Sequence, residues 1–143
     1  MIVLDTNVIS ELMRANPDSA VFNWVASQPR AALYTTHINE AEILYGIHAL
    51  PAGRRRDALS MAATAIFGEE LAGRVLSFNG PAARRYAEIV NSRRADGRPI
   101  ETFDALIAAI ASAANAAVAT RDTGGFDGCG ITVINPWQPP FKA

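Results

Sequence analysis

A short apolar run, Ile2-Val3-Leu4, stops abruptly at Asp5, and this strand-then-acid pattern constrains the chain more than any other feature. Three apolar residues bounded by a charge are too few for a helix and read as a buried strand. Helical spacing follows at once, through Val8, Ile9 and Leu12 in residues 7–14. Asn16-Pro17-Asp18 then reads as a cap with proline at the first helical position, opening a helix through Phe22, Trp24 and Val25 that ends near Gln28-Pro29. Residues 32–36 read as a second strand. Asn39-Glu40-Ala41-Glu42 opens a helix that runs to Leu50 and is broken by Pro51-Ala52-Gly53.

The alternation continues to the end of the chain. Residues 54–67 are expected to be helical with Leu59, Ala62, Ala63 and Ile66 inward, and residues 74–78 form a strand candidate. Residues 81–94 are expected as a helix with Ala83, Tyr86, Ala87 and Val90 on its inner face. A loop at 95–99 leads to a strongly apolar helix over 102–114. A strand at 117–120, a glycine-rich loop at 121–130, a strand at 131–134 and a proline-rich tail at 136–143 complete the pattern. Strands that alternate with helices predict an α/β domain, one unit over residues 1–143, with a mostly parallel central sheet between layers of helices. Functional groups in such sheets lie beyond the carboxyl ends of the strands. Asp5 follows the first strand and Asp122 follows a late one, so both fall where that rule wants chemistry.

Half of the 143 residues are hydrophobic and 19% are charged, enough apolar material for a real core. The net charge of −1 is too low for a protein that coats nucleic acid through a global positive field. Any contact with nucleic acid then needs a local patch. Lys142 is the only lysine among thirteen basic residues, and arginine suits planar recognition of phosphate. One cysteine, Cys129, permits no intrachain disulfide and suits a reducing cytoplasm. The opening lacks the basic segment of a secretory leader, and the longest apolar stretch, residues 105–119, is too short to span a bilayer. The expectation is a cytoplasmic protein with no membrane contact.

Four acids sit in apolar surroundings instead of solvated charge runs: Asp5, Glu42, Asp104 and Asp122. Each has a structural explanation. Asp5 is placed to cap the next helix, and Glu42 stands three residues after Asn39, the spacing of a capping box. Asp104 falls in a first helical turn, where the dipole favours an anion, and Asp122 lies in a turn-like Asp-Thr-Gly-Gly segment. The alternative is convergence. Carboxylates are costly to bury unless a cation offsets them. An acidic cluster without histidine or cysteine ligands favours Mg²⁺ or Mn²⁺ over zinc.

The series resembles the PIN-domain toxins of the VapC and FitB type. The residues that carry it are Val3-Leu4-Asp5-Thr6-Asn7-Val8-Ile9-Ser10-Glu11, Glu42-Ile43-Leu44-Tyr45-Gly46, Asp104-Ala105-Leu106-Ile107-Ala108-Ala109, Ala119-Thr120-Arg121-Asp122 and Asn135-Pro136-Trp137. They span nearly the whole chain in the family's order. The resemblance implies a PIN-like three-layer fold in which Asp5, Glu42, Asp104 and Asp122 are both metal ligands and catalytic residues, holding one or two Mg²⁺ or Mn²⁺ ions. It implies that Asn7 and Thr120 support the carboxylates and that Arg121 helps to hold substrate phosphate. Many relatives have a further acid where this chain has Gly124, and Asp127 compensates only if the loop folds back. Phe103 is bulkier than expected before the third acid.

The reaction so implied is metal-dependent hydrolysis of an RNA phosphodiester, in tRNA or another structured RNA, leaving 5′-phosphate and 3′-hydroxyl ends. Arg54, Arg55 and Arg56 form the densest basic cluster, and Arg84, Arg85, Arg93, Arg94 and Arg98 a second; either is a candidate RNA path or a solvated helix face. His37 and His48 read as structural, although His37 lies near Glu42. No Walker A loop and no GxGxxG are present. The resemblance further implies a homodimer, a cognate antitoxin and contact with operator DNA only through that antitoxin; the apolar Phe22, Trp24 and Val25 are candidates either for such contacts or for core packing. Two other readings stay open: a largely non-catalytic partner in an antitoxin-mediated repressor, and a metal-dependent DNA nuclease. Loss of toxicity with retained complex formation in carboxylate variants separates the first; matched RNA and DNA substrates separate the second.

Overall fold

A computed structural model describes residues 1–138; the last part of the proline-rich tail, including Lys142, lies outside the described residues. The first strand, β1 (Ile2–Leu4), carries consecutive side chains that face opposite ways. Val3 enters one apolar cluster and Leu4 the other. Val118 and Ala119 of β4 (Ala117–Ala119) divide in the same way. With β2 (Leu33–Thr36), β3 (Val75–Leu76) and β5 (Val133–Ile134), these strands form a fully parallel sheet in the order β3-β2-β1-β4-β5.

Helices cover both faces. Leu4 and Ala119 pack with α1 (Thr6–Leu12), α2 (Ser19–Ser27), α3 (His37–His48) and α4 (Arg54–Ala65). Val3 and Val118 pack with α5 (Gly80–Ala95) and α6 (Thr102–Ala113). Three layers result, as the alternation of elements predicts. Ala105, Ile107, Ala108, Ala109, Ile110 and Ala111 of α6 are all buried, because the helix lies between α5 and the sheet. Asn115 ends it in the left-handed conformation (φ 54°), and the Ala116 amide bonds back to the Ala111 carbonyl. Among the described residues, no helix is long and apolar enough to cross a membrane.

Several local expectations need correction. Asp18, not Asn16, caps α2, accepting from the Ala20 and Val21 amides, so Pro17 precedes the helix. Thr36 caps α3 through bonds from the Ile38 and Asn39 amides, so the helix starts at His37 and Asn39 lies inside it. The buried face of α5 is Ala82, Ile89 and Arg93 with Tyr86 partly covered, whereas Ala83 and Ala87 are exposed. Strands β3 and β5 are shorter than expected, and α4 continues as a π-helical turn over Ile66–Glu70.

Strand order reverses beside β1: β2 and β3 lie on one side of it, β4 and β5 on the other. The loops after β1 and β4 therefore diverge and leave a crevice at the carboxyl ends of adjacent strands. The Asp5 amide bonds to the Ala119 carbonyl at 2.9 Å, which fixes the two loops against each other.

Candidate functional site

Four separate elements bring the four acids to that crevice. Asp5 leaves β1, Asp122 follows β4, Glu42 projects from the middle of α3 and Asp104 from the first turn of α6. All four line one open cleft of about 570 Å³, together with Asn7, Arg121 and Trp137. A larger groove of about 800 Å³ adjoins it and shares Thr6, Ser10, Arg14 and Glu42.

Hydrogen bonds hold Asp5, Glu42 and Asp122 before any ligand arrives. Asp5 is only 5% exposed. Its Oδ1 accepts from the Thr6 amide at 2.8 Å and from Asn39 Nδ2 at 3.0 Å, and its Oδ2 accepts from the Thr120 hydroxyl at 2.7 Å. The bond from Thr6 is the helix cap expected of Asp5, so capping and site placement coexist. Thr120 Oγ1 also accepts from Asn7 Nδ2 at 3.0 Å and from the Asp122 amide at 3.1 Å. Asn7 and Thr120 thus both belong to the network around the acids. Glu42 forms no capping box; its Oε1 accepts from the Thr6 hydroxyl at 2.8 Å.

Asn39, Glu101 and Gly125 are parts of this arrangement that the sequence reading missed. Asn39 is fully buried and donates to both Asp5 and Thr6, while its own Oδ1 accepts from Thr36. Its spacing from Glu42 disguised it as a cap. Glu101 caps α6, accepting from the Phe103 and Asp104 amides, and adds a fifth negative charge near the group. At Gly125, an added Cβ would lie 2.7 Å from Asp122 Oδ2 and 3.1 Å from Asp104 Oδ2. Only glycine allows the loop to approach both carboxylates so closely.

Burial and mutual repulsion raise the proton affinity of Asp5, Glu42 and Asp104. Asp5 lies above its ordinary value, first because of burial, against which its hydrogen bonds act. Glu42 is raised mainly by burial, with Asp5 and Glu101 adding repulsion. Asp104 is pushed up to about 6, by burial and then by Asp5, Glu101, Asp122 and Glu42. Crowded, partly desolvated carboxylates of this kind favour a cation. Among the described residues, no three acids, histidines or cysteines are drawn close enough to hold a metal ion by themselves in the side-chain positions present. The donor chemistry, oxygen ligands only, would suit a hard divalent ion such as Mg²⁺, held by Asp5, Glu42, Asp104 and Asp122.

The other candidates separate clearly. Asp127 does not fold back to replace the acid absent at Gly124. Its carboxylate pairs with Arg98 at 2.6 Å, and that guanidinium holds it below its ordinary value. Arg93 is unavailable to RNA: it is buried, donating to the carbonyls of Arg98, Gly125 and Asp127. Arg55 lines the adjoining groove, Arg56 bonds His48 Nδ1, and neither Arg54 nor Arg56 lines the groove or the cleft. His37 pairs with Glu40 and lies outside the cleft. Phe103 is 45% exposed and does not narrow the cleft. Phe22 is largely exposed, whereas Trp24 and Val25 pack on the core.

Comparisons with known proteins agree with this architecture. Residues 2–128 match the family model described as PIN domain. The chain is 45% identical to VapC ribonuclease Y4jK of Sinorhizobium fredii, over 97% of this chain and 99% of that one. It is 38% identical to Toxin FitB of Neisseria gonorrhoeae, over 96% of this chain and 99% of that one. The solved structure of FitAB bound to IR36 DNA fragment superimposes with a TM-score of 0.92 at 36% identity, covering 100% of both chains. Sequence, sheet order and the arrangement of helices lead to one conclusion: the chain belongs to the PIN-domain family.

Proposed function

We propose that this protein is an endoribonuclease toxin that hydrolyses RNA phosphodiesters with Mg²⁺ or Mn²⁺ held at Asp5, Glu42, Asp104 and Asp122. The observation that carries this reading is the meeting of four acids, from four elements, in one cleft, where burial and repulsion raise the proton affinity of Asp5, Glu42 and Asp104. The relatives named VapC ribonuclease and Toxin FitB support the same reading. One or two bound ions would lower the pKa of a water and offset charge on the reacting phosphate.

The chain's own residues orient and position. Thr120 and Asn39 fix both oxygens of Asp5, and Thr6 fixes one oxygen of Glu42. Arg121, at the cleft wall, supplies a cation for substrate phosphate, and Arg55 in the adjoining groove extends the path. Arg54 and Arg56 contribute only long-range attraction. No protein nucleophile is needed.

A cognate antitoxin restrains the activity, and the FitAB neighbour on DNA supports operator contact through that partner. Exposed Leu44, Tyr45 and Met61 offer apolar surface for a second copy or the antitoxin. The test is cleavage of end-labelled total tRNA, and of matched DNA, by antitoxin-free protein with Mg²⁺, Mn²⁺ or EDTA. Metal-dependent RNA cuts that vanish in Asp5→Asn and Asp104→Asn are expected. Cuts that persist in those folded variants would overturn the carboxylate mechanism. Variants that still bind antitoxin but lose toxicity would exclude a purely non-catalytic role.

A further inference from the structure

Among the described residues, Arg121 stands in an acidic cleft without pairing to an acid. None of the ion pairs among the described residues includes it. Its guanidinium carbon lies instead over the Trp137 ring, 4.8 Å from the centroid. Both partners are anchored through their backbones. The Arg121 amide donates to Asn7 Oδ1 at 3.2 Å, and the Trp137 amide donates to Asn135 Oδ1 at 2.9 Å. Pro136 is fully buried, and the Trp137 ring packs against the core beneath α1–α4. The indole is therefore a fixed platform at the cleft wall.

A free arginine beside crowded carboxylates would not stay free. Its planar fork matches a carboxylate bidentately, and a partly desolvated acid gains from any cation that reaches it. An arginine that settled on Asp122 or Glu42 would occupy oxygens needed by a divalent ion, and its guanidinium would be turned away from substrate phosphate. Stacking on an aromatic face holds a guanidinium without consuming an acid.

The geometry points to Trp137 as a positioning residue that keeps the Arg121 guanidinium off the carboxylates, leaving the acids open to a cation and Arg121 open to substrate phosphate. This assignment rests on the metal reading proposed above.

The test is Mn²⁺ titration of the full chain, read by electron paramagnetic resonance, in wild type, Trp137→Phe, Trp137→Leu, Arg121→Ala and the Trp137→Leu/Arg121→Ala double variant. Trp137→Leu is expected to bind Mn²⁺ about two- to fivefold more weakly, the equivalent of one exposed cation–π contact. Trp137→Phe, which keeps an aromatic face, should stay near wild type. The double variant should regain wild-type affinity, because no arginine remains to compete, yet keep the raised KM for RNA of Arg121→Ala. A double variant as weak as Trp137→Leu would show damage to packing and overturn the assignment. Unchanged affinity in Trp137→Leu would overturn it alone, whereas a wild type that takes up no Mn²⁺ would overturn both it and the metal site.

Discussion

Replacing Asp104 with asparagine should stabilise the metal-free protein while abolishing its activity. Asp104 is raised from 3.8 to about 6 by burial and by four neighbouring acids. The folded state therefore binds its proton more tightly than the unfolded state does. A raised carboxylate leaves stability intact below the unfolded value and lowers it as pH climbs through the folded value. Above about pH 6 the full penalty applies. The displacement corresponds to roughly 3 kcal/mol, and screening by solvent in the open cleft cuts this to about 1.5 kcal/mol. For a chain of this size, that is a rise in melting temperature of about 5 °C for Asp104→Asn at pH 7.5. Thermal melts in EDTA across pH 4–8 provide the assay. The gain should shrink as pH falls below 6 and disappear near the unfolded value. Added Mg²⁺ should stabilise the wild type more than the variant, since the ion relieves the repulsion that asparagine has already removed. A variant that melts at or below the wild type at pH 7.5, or a gain that does not change with pH, would refute the reasoning.

Three further substitutions examine other parts of the site. Gly125→Ala should lower Mn²⁺ affinity and RNA cleavage at least about tenfold, because its Cβ would force apart Asp122 and Asp104; loss should appear in activity with circular dichroism preserved. Arg93→Met should destabilise the fold by about 3 kcal/mol in urea melts, since a buried cation that ties three carbonyls is removed. Asn39→Ala should cost about 2 kcal/mol and weaken metal uptake, because Asp5 Oδ1 and the Thr6 hydroxyl lose a shared donor.

Much of the fold was legible because the parallel strands announce themselves as brief apolar runs ended by polar residues. Ile2-Val3-Leu4 before Asp5 and Ala117-Val118-Ala119 before Thr120 are bounded almost as read. The inner face of α5 was not legible. Alanines occur on both sides of that helix, so Ala82 and Ala83 carry the same signal, and nothing local shows that Arg93 turns inward. Arg93 is buried because loop carbonyls more than thirty residues away accept its protons. Asn39 was hidden for a different reason. An amide three positions before an acid suits a capping box and a buried network equally well, and only the Thr36 hydroxyl at the true helix start decides between them. The four principal acids were found as a series; that they share a cleft follows from strand order, which no single segment encodes.

The Thr120 hydroxyl has one proton to give and two lone pairs, and all three are committed: to Asp5, to Asn7 and to the Asp122 amide. That saturation predicts how the position can drift over generations. Serine preserves every link and should be a neutral exchange. Valine matches the shape yet severs three attachments in one step, so no gradual route leads away from a hydroxyl at 120. Positions on the solvent side of α5, such as Ala83 and Ala87, have no comparable commitments and should wander freely. Side by side in one chain, a surface open to change can therefore evolve toward new partners while the hydroxyl that joins three segments of the cleft holds still.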